Sequence, residues 1–117
     1  MDIGRQLGQL RPANTTAASL FSPVANQRVH ITDLIVCNTT GGAVTYRIFH
    51  DEDGTTYDET TALYFNNTLG ANVTERITAR DLFIYMANSS GNIGVRTSSG
   101  NAITFTLYGV EYDDMVT

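Results

Sequence analysis

The side chains with the most chemical potential are clustered in one run, His50-Asp51-Glu52-Asp53-Gly54, which continues to Asp58-Glu59. The segment from Asp51 to Thr61 holds five of the twelve carboxylates in the chain. Closely spaced carboxylates with a glycine between them can wrap a hard cation through oxygen ligands. The offsets do not match a helix-flanked calcium loop, and Asp-Gly is also ordinary turn chemistry in a solvated loop. No metal is expected; were a calcium ion held, Asp51, Asp53 and Asp58 would be its ligands. The two histidines, His30 and His50, lie near the ends of two expected strands of one hairpin, so they could approach each other. A two-histidine metal site needs a further ligand, and no His-x-His or Cys-x-x-Cys spacing supplies one. Glu52 with Asp58, or Glu59 with Glu75, could form a pair of the kind glycosidases use, but nothing in the spacing selects either. Serine and threonine are plentiful, yet no nucleophile elbow, phosphate loop or dinucleotide fingerprint is present. The chain is not expected to be an enzyme, and no cofactor is expected. Cys37 is the only cysteine and sits in an apolar run, which reads as a buried small hydrophobe.

Composition narrows the partners. The 117 residues make one domain. The net charge is −5, and all seven basic residues are arginine. An acidic chain without a basic stripe repels a phosphate backbone, so nucleic acid is not an expected partner. No segment approaches the length of a membrane span, and the opening residues do not form a secretory signal. Lysine is depleted and arginine enriched at protein interfaces, so a chain without lysine suits an interaction protein. Six tyrosines fit the same reading, because tyrosine serves where one end of a ring is dry and the other wet. Asn-x-Ser/Thr triplets at Asn14, Asn38, Asn66, Asn72 and Asn88 read as turn markers.

The elements that must position these residues read as strands. Val29 to Asp51 has two runs rich in β-branched and aromatic residues around Thr39-Thr40-Gly41-Gly42, which predicts a central hairpin. The first run changes phase at Asp33. Either a bulge re-aims it there, or Leu34 to Cys37 is buried on both faces. Further strands are expected at 15–21, 62–65, 72–79, 81–87, 92–97 and 102–112. The chain is therefore all-β: about eight antiparallel strands in a jelly-roll-like β-sandwich over residues 15–117, with an immunoglobulin-like sandwich as runner-up. Residues 1–14 differ in character. Ile3, Leu7 and Leu10 are spaced as on a helix, but Gly4, Gly8 and Pro12 weaken any helix, so the segment reads as an extended N-terminal arm.

Several motifs together carry a resemblance. They are S-L-F-S-P at Ser19 to Pro23, I-V-C-N-T-T at Ile35 to Thr40, F-H-D-E-D-G-T-T-Y-D at Phe49 to Asp58, A-L-Y-F at Ala62 to Phe65, M-A-N-S-S-G-N at Met86 to Asn92, and T-L-Y-G-V-E-Y at Thr106 to Tyr112. The chain resembles the small all-β decoration or cement proteins of tailed-bacteriophage capsids. That resemblance implies a homotrimer on the virion's outer capsid surface, made in the host cytoplasm, that bridges neighbouring major capsid protein subunits. Within this picture, Ile3, Arg5, Leu7, Leu10 and Arg11 of the arm are the expected capsid contacts. Leu34, Val36, Phe83 and Tyr85 are the expected contacts between copies. The alternative is a head-fibre or tail accessory module that binds host-surface carbohydrate, calcium-assisted through the acidic loop.

Overall fold

The computed structural model describes residues 3–78, 80 and 84–113, with the side chains of Ile3 and Asp113 outside the description. Among these residues there is no helix. Nine strands form two antiparallel sheets: β1 (Ile3–Leu10), β2 (Ala18–Phe21), β3 (Gln27–Asn38), β4 (Val44–Asp51), β5 (Ala62–Leu69), β6 (Thr74–Thr78), β7 (Ile84–Met86), β8 (Asn92–Thr97) and β9 (Ile103–Asp113). The first sheet runs β1-β9-β3-β6, with β7 sharing the same edge of β3; the second runs β2-β8-β4-β5. Nearly every connection crosses from one sheet to the other, and β4-β5 is the pair of consecutive strands that hydrogen-bond within a sheet. Two sheets wound in this way make a jelly roll.

The eight expected body strands are all present, but the central hairpin is not. β3 lies in the first sheet, flanked by β9 and by β6 and β7, while β4 lies in the second between β8 and β5. The link through Gly41 and Gly42 crosses the sandwich instead of doubling back. A tight hairpin turn needs positive φ, and neither glycine adopts it. His30 and His50 are consequently in different sheets.

The phase break in β3 is a bulge. Ile31 pairs with Gly109 and Asp33 with Tyr108, so Thr32 is the extra residue. Val29 and Ile31 before it, and Leu34 and Val36 after it, all face the core. There they meet Ile77, Ile84, Met86, Ile103, Phe105 and Leu107 of the first sheet and Leu20, Tyr46, Ile48, Ile93 and Val95 of the second. Ile35 and Cys37 face outward and are half-buried. Leu34 and Val36 are fully buried, which corrects their expected place at a contact between copies.

The stretch expected as an arm is strand β1, an edge strand paired with β9 of its own chain from Ile3 to Leu10. Leu7 and Leu10 pack on this chain's core rather than on a neighbour. Gly8 permits the fit: a side chain there would collide with the Leu20 carbonyl of β2, so β1 closes the side of the sandwich only because residue 8 has no Cβ. Deleting residues 1–11 should therefore cost stability as well as contacts. Losing the burial of two leucines predicts a loss of about 3 kcal/mol, seen as a Tm lowered by more than about 5 °C. A truncated chain that melts with the full chain would show that β1 adds nothing to the body.

Four of the five Asn-x-Ser/Thr triplets start at turns or strand ends, while the triplet at Asn66 lies within β5. Asn14, Asn38 and Asn88 each accept a backbone N–H from two residues on, at 2.9, 3.0 and 2.9 Å. Asn66 and Asn72 adopt left-handed backbone, with φ of 56° and 57°.

Candidate interaction surfaces

The outer face of the first sheet carries aromatic and charged side chains side by side. Strand alternation puts Arg28, His30, Asp33 and Ile35 of β3, Tyr85 of β7, Arg76 of β6, and Tyr108 and Tyr112 of β9 on it. His30 lies between two tyrosine rings, 4.8 Å from Tyr85 and 5.6 Å from Tyr112 between centroids. The Arg28 guanidinium stands 5.1 Å from the Tyr112 ring centre, and its Nη1 donates to the Tyr85 hydroxyl at 3.3 Å. Asp33 and Arg76 form an ion pair at 3.0 Å. With Ile35 and Tyr108 they line a shallow hollow of about 360 Å³. Tyr85 and Tyr108 are each 38% exposed. Tyrosine and arginine, with an apolar floor, are the residue types that concentrate binding energy at protein interfaces.

The expected site residues fall as follows. Tyr85 is on this face and exposed. Phe83 and the side chain of Ile3 lie outside the described residues. Arg5 pairs with the buried Glu111 at 2.7 Å, and Arg11 donates to Thr39 Oγ1 and to the Asn101 carbonyl. Both arginines lie on or next to the β1 edge of the sandwich.

The acidic loop is a self-capped turn. Asp51 accepts the backbone N–H groups of Asp53 and Thr56 at 3.2 and 2.9 Å, and Asp58 accepts the N–H and hydroxyl of Thr60 at 2.8 and 2.6 Å. For Asp51 the bond from the Thr56 amide is the main cause that holds its carboxyl below the usual carboxylate range; for Asp58 it is the bond from the Thr60 hydroxyl. Asp51 and Asp58 thus spend carboxylate oxygens on the loop's own turns. Among the described residues no three metal-ligating side chains converge, so Asp51, Asp53 and Asp58 do not form a calcium cage. His50 bonds Glu52 at 3.0 Å. The loop folds back so that Tyr57 rests on Phe49, ring centres 5.8 Å apart, over the gap left by Gly94. This covers Phe49, which faces away from the main core and is nevertheless fully buried.

Glu75, weighed above as a catalytic partner of Glu59, instead accepts a short hydrogen bond from the Tyr46 hydroxyl. The bond spans the open side of the sandwich, from the edge strand β6 to the centre of the second sheet. Burial, reinforced by this bond, pushes the Tyr46 phenol well above its ordinary pKa.

A second hollow lies on the outer face of the other sheet. Arg47 of β4 and Arg96 of β8 are directly opposite each other there. It measures about 410 Å³ and is walled by Thr15, Thr45, Asn66 and Ser98. The sequence gives no hint of it, because the two arginines meet only through the register of strands far apart in the chain.

No family model matches the sequence, and no curated protein is similar to it. Solved structures do resemble the fold. A chain of the viral particle of infectious bursal disease virus superposes with a TM-score of 0.50 at 15% identity, over 94% of this chain and 30% of that one. A chain of the subviral particle of the same virus gives 0.47 at 16% identity, over 97% and 30%. A chain of Bacillus endospore appendages, which form a family of disulfide-linked pili, gives 0.48 at 12% identity, over 97% and 83%. This chain spans about 30% of the length of the viral chains it matches. At such identities the likeness is one of fold.

Proposed function

We propose that this protein is a viral structural protein that cements a capsid. It binds the outer surface of a tailed-phage head and bridges neighbouring major capsid protein subunits. The observation that carries the reading is the outer face of the first sheet. Tyr85 and Tyr108 are each 38% exposed there, beside the half-buried Ile35 and the Arg28–His30–Tyr112 cluster. The jelly-roll fold and the resemblance of its motifs to phage decoration proteins support the same reading. So does the acidic loop, in which Asp51 and Asp58 hold its own turns. A homotrimer suits the task, because three modest contacts on a fixed lattice add into tight binding without new chemistry. Arg5 and Arg11, at the β1 edge, are placed to extend the contact beyond the aromatic face.

The test uses heads of the virus that encodes this chain, prepared with its gene deleted. Purified protein added back should cosediment with these heads to saturation, at a fixed number of copies per hexamer, and should raise the temperature at which they burst. Protein that stays in the supernatant at every concentration would overturn the proposal.

A further inference from the structure

We propose that the hollow on the outer face of the second sheet is a binding site for a sugar acid, a pyranose bearing a carboxylate. It lies on the opposite side of the sandwich from the aromatic face, so it stands or falls independently of the cement reading.

The argument begins with a like-charge pair. Arg47 and Arg96 sit directly opposite each other on β4 and β8, both pointing outward. Like charges in that position repel, and sheets avoid them unless something offsets the cost. None of the described acidic side chains does so: among the described residues, the ion pairs involve Arg5, His50 and Arg76 instead. Both guanidinium groups are nevertheless held in place. Arg47 Nε donates to Asn66 Oδ1 at 2.7 Å, and its plane lies over the Phe65 ring, 3.9 Å from the centroid. Arg96 Nε donates to the Thr15 carbonyl at 2.6 Å. These bonds use the Nε atoms, and both arginines line the hollow. Two fixed guanidinium forks side by side match the flat, two-oxygen edge of a carboxylate.

The walls narrow the ligand further. Thr15, Thr45, Asn66, Thr97 and Ser98 offer hydroxyl and amide groups, and Tyr46 adds apolar surface of the kind a pyranose ring can lie on. A volume of about 410 Å³ lies in the range of small-molecule sites. An apolar acid would leave those polar walls unpaired, whereas a sugar acid brings hydroxyls for the walls and a carboxylate for the arginines. The left-handed backbone of Asn66, at φ 56°, belongs to a bulge of β5 that turns its amide toward Arg47.

Backbone amide NMR with glucuronate as the probe tests this, with glucose as the neutral match and inorganic phosphate as the simple anion. Glucuronate should shift the amides of residues 45, 47, 96 and 98 saturably, and glucose should not. Arg47→Gln and Arg96→Gln should each weaken glucuronate binding by about tenfold or more, while the rest of the spectrum stays unchanged and reports an intact fold. No saturable shift with glucuronate, equal binding of glucose, or undiminished binding by both variants would overturn the proposal. Phosphate binding as tightly as glucuronate would also overturn it, leaving a general oxyanion site.

Discussion

Replacing Asn38 with alanine should lower the unfolding free energy by about 3 kcal/mol. The side chain is 1% exposed and sits where two crossovers between the sheets meet. Its Nδ2 donates to the carbonyls of Gly42, Leu69 and Gly70 at 2.8, 3.2 and 3.0 Å. Its Oδ1 accepts the amide and hydroxyl of Thr40 at 3.0 and 2.8 Å. One amide thus ties the β3–β4 link to the β5–β6 link, which no strand ladder connects. Alanine would remove all five of these bonds and leave the two links joined by the bond from the Asn72 amide to the Thr40 carbonyl at 3.0 Å. Removing one partner of a buried polar group costs about 1–3 kcal/mol, and here several bonds are lost. Urea unfolding should show a midpoint lower by more than about 1 M with an unchanged slope. A variant that unfolds at the wild-type midpoint would mean that the links are held by something else.

Tyr108→Ala should weaken binding to gene-deleted heads by about 30-fold, which corresponds to a loss of roughly 2 kcal/mol. Tyr108 stands on the outer face of β9, beside the Asp33–Arg76 ion pair, and is 38% exposed. It contributes little to the core, so the variant should melt near the wild type. Val24→Ser is the matched control. Val24 is 59% exposed, in the connection before β3 and off the sheet face, and its loss should leave binding unchanged. If the control weakens binding as much as Tyr108→Ala does, the contact is not the aromatic face.

The strands were legible because their chemistry is local. Alternation in β9, continuous apolar character in β3 and turn residues at near-regular spacing all survive without knowledge of the partner strand. Pairing was not legible. Thr39 to Gly42 has a hairpin's composition, but the crossing is held by Asn38, two of whose three acceptors, Leu69 and Gly70, lie far from it in the chain. The phase change at Asp33 admitted two readings, a bulge or double burial. Double burial would place Leu34 and Val36 at a contact between copies, and the structure adopts the bulge. With Thr32 bulged, those two side chains rejoin the core face, and the outward positions pass to Asp33, Ile35 and Cys37. The arm misled for a related reason. Two glycines argue against a helix, yet one of them is what lets β1 pack tightly against β2. The acidic loop shows closely spaced carboxylates in the sequence, whereas the backbone donors that Asp51 and Asp58 accept from appear only in the folded turn. The face made by Tyr85, Tyr108 and Tyr112 assembles residues from β7 and β9, and no local pattern announces that they share it.

The central claim is that this jelly roll works by laying the outer face of its first sheet on another protein. A cryo-electron microscopy reconstruction of gene-deleted heads saturated with the protein tests it most directly. The prediction is ordered density that places Tyr85, Tyr108 and Arg28 against the capsid shell, with the Arg47–Arg96 hollow facing solvent. Density that places the second sheet against the shell, or heads that carry no ordered density for this protein, would contradict it.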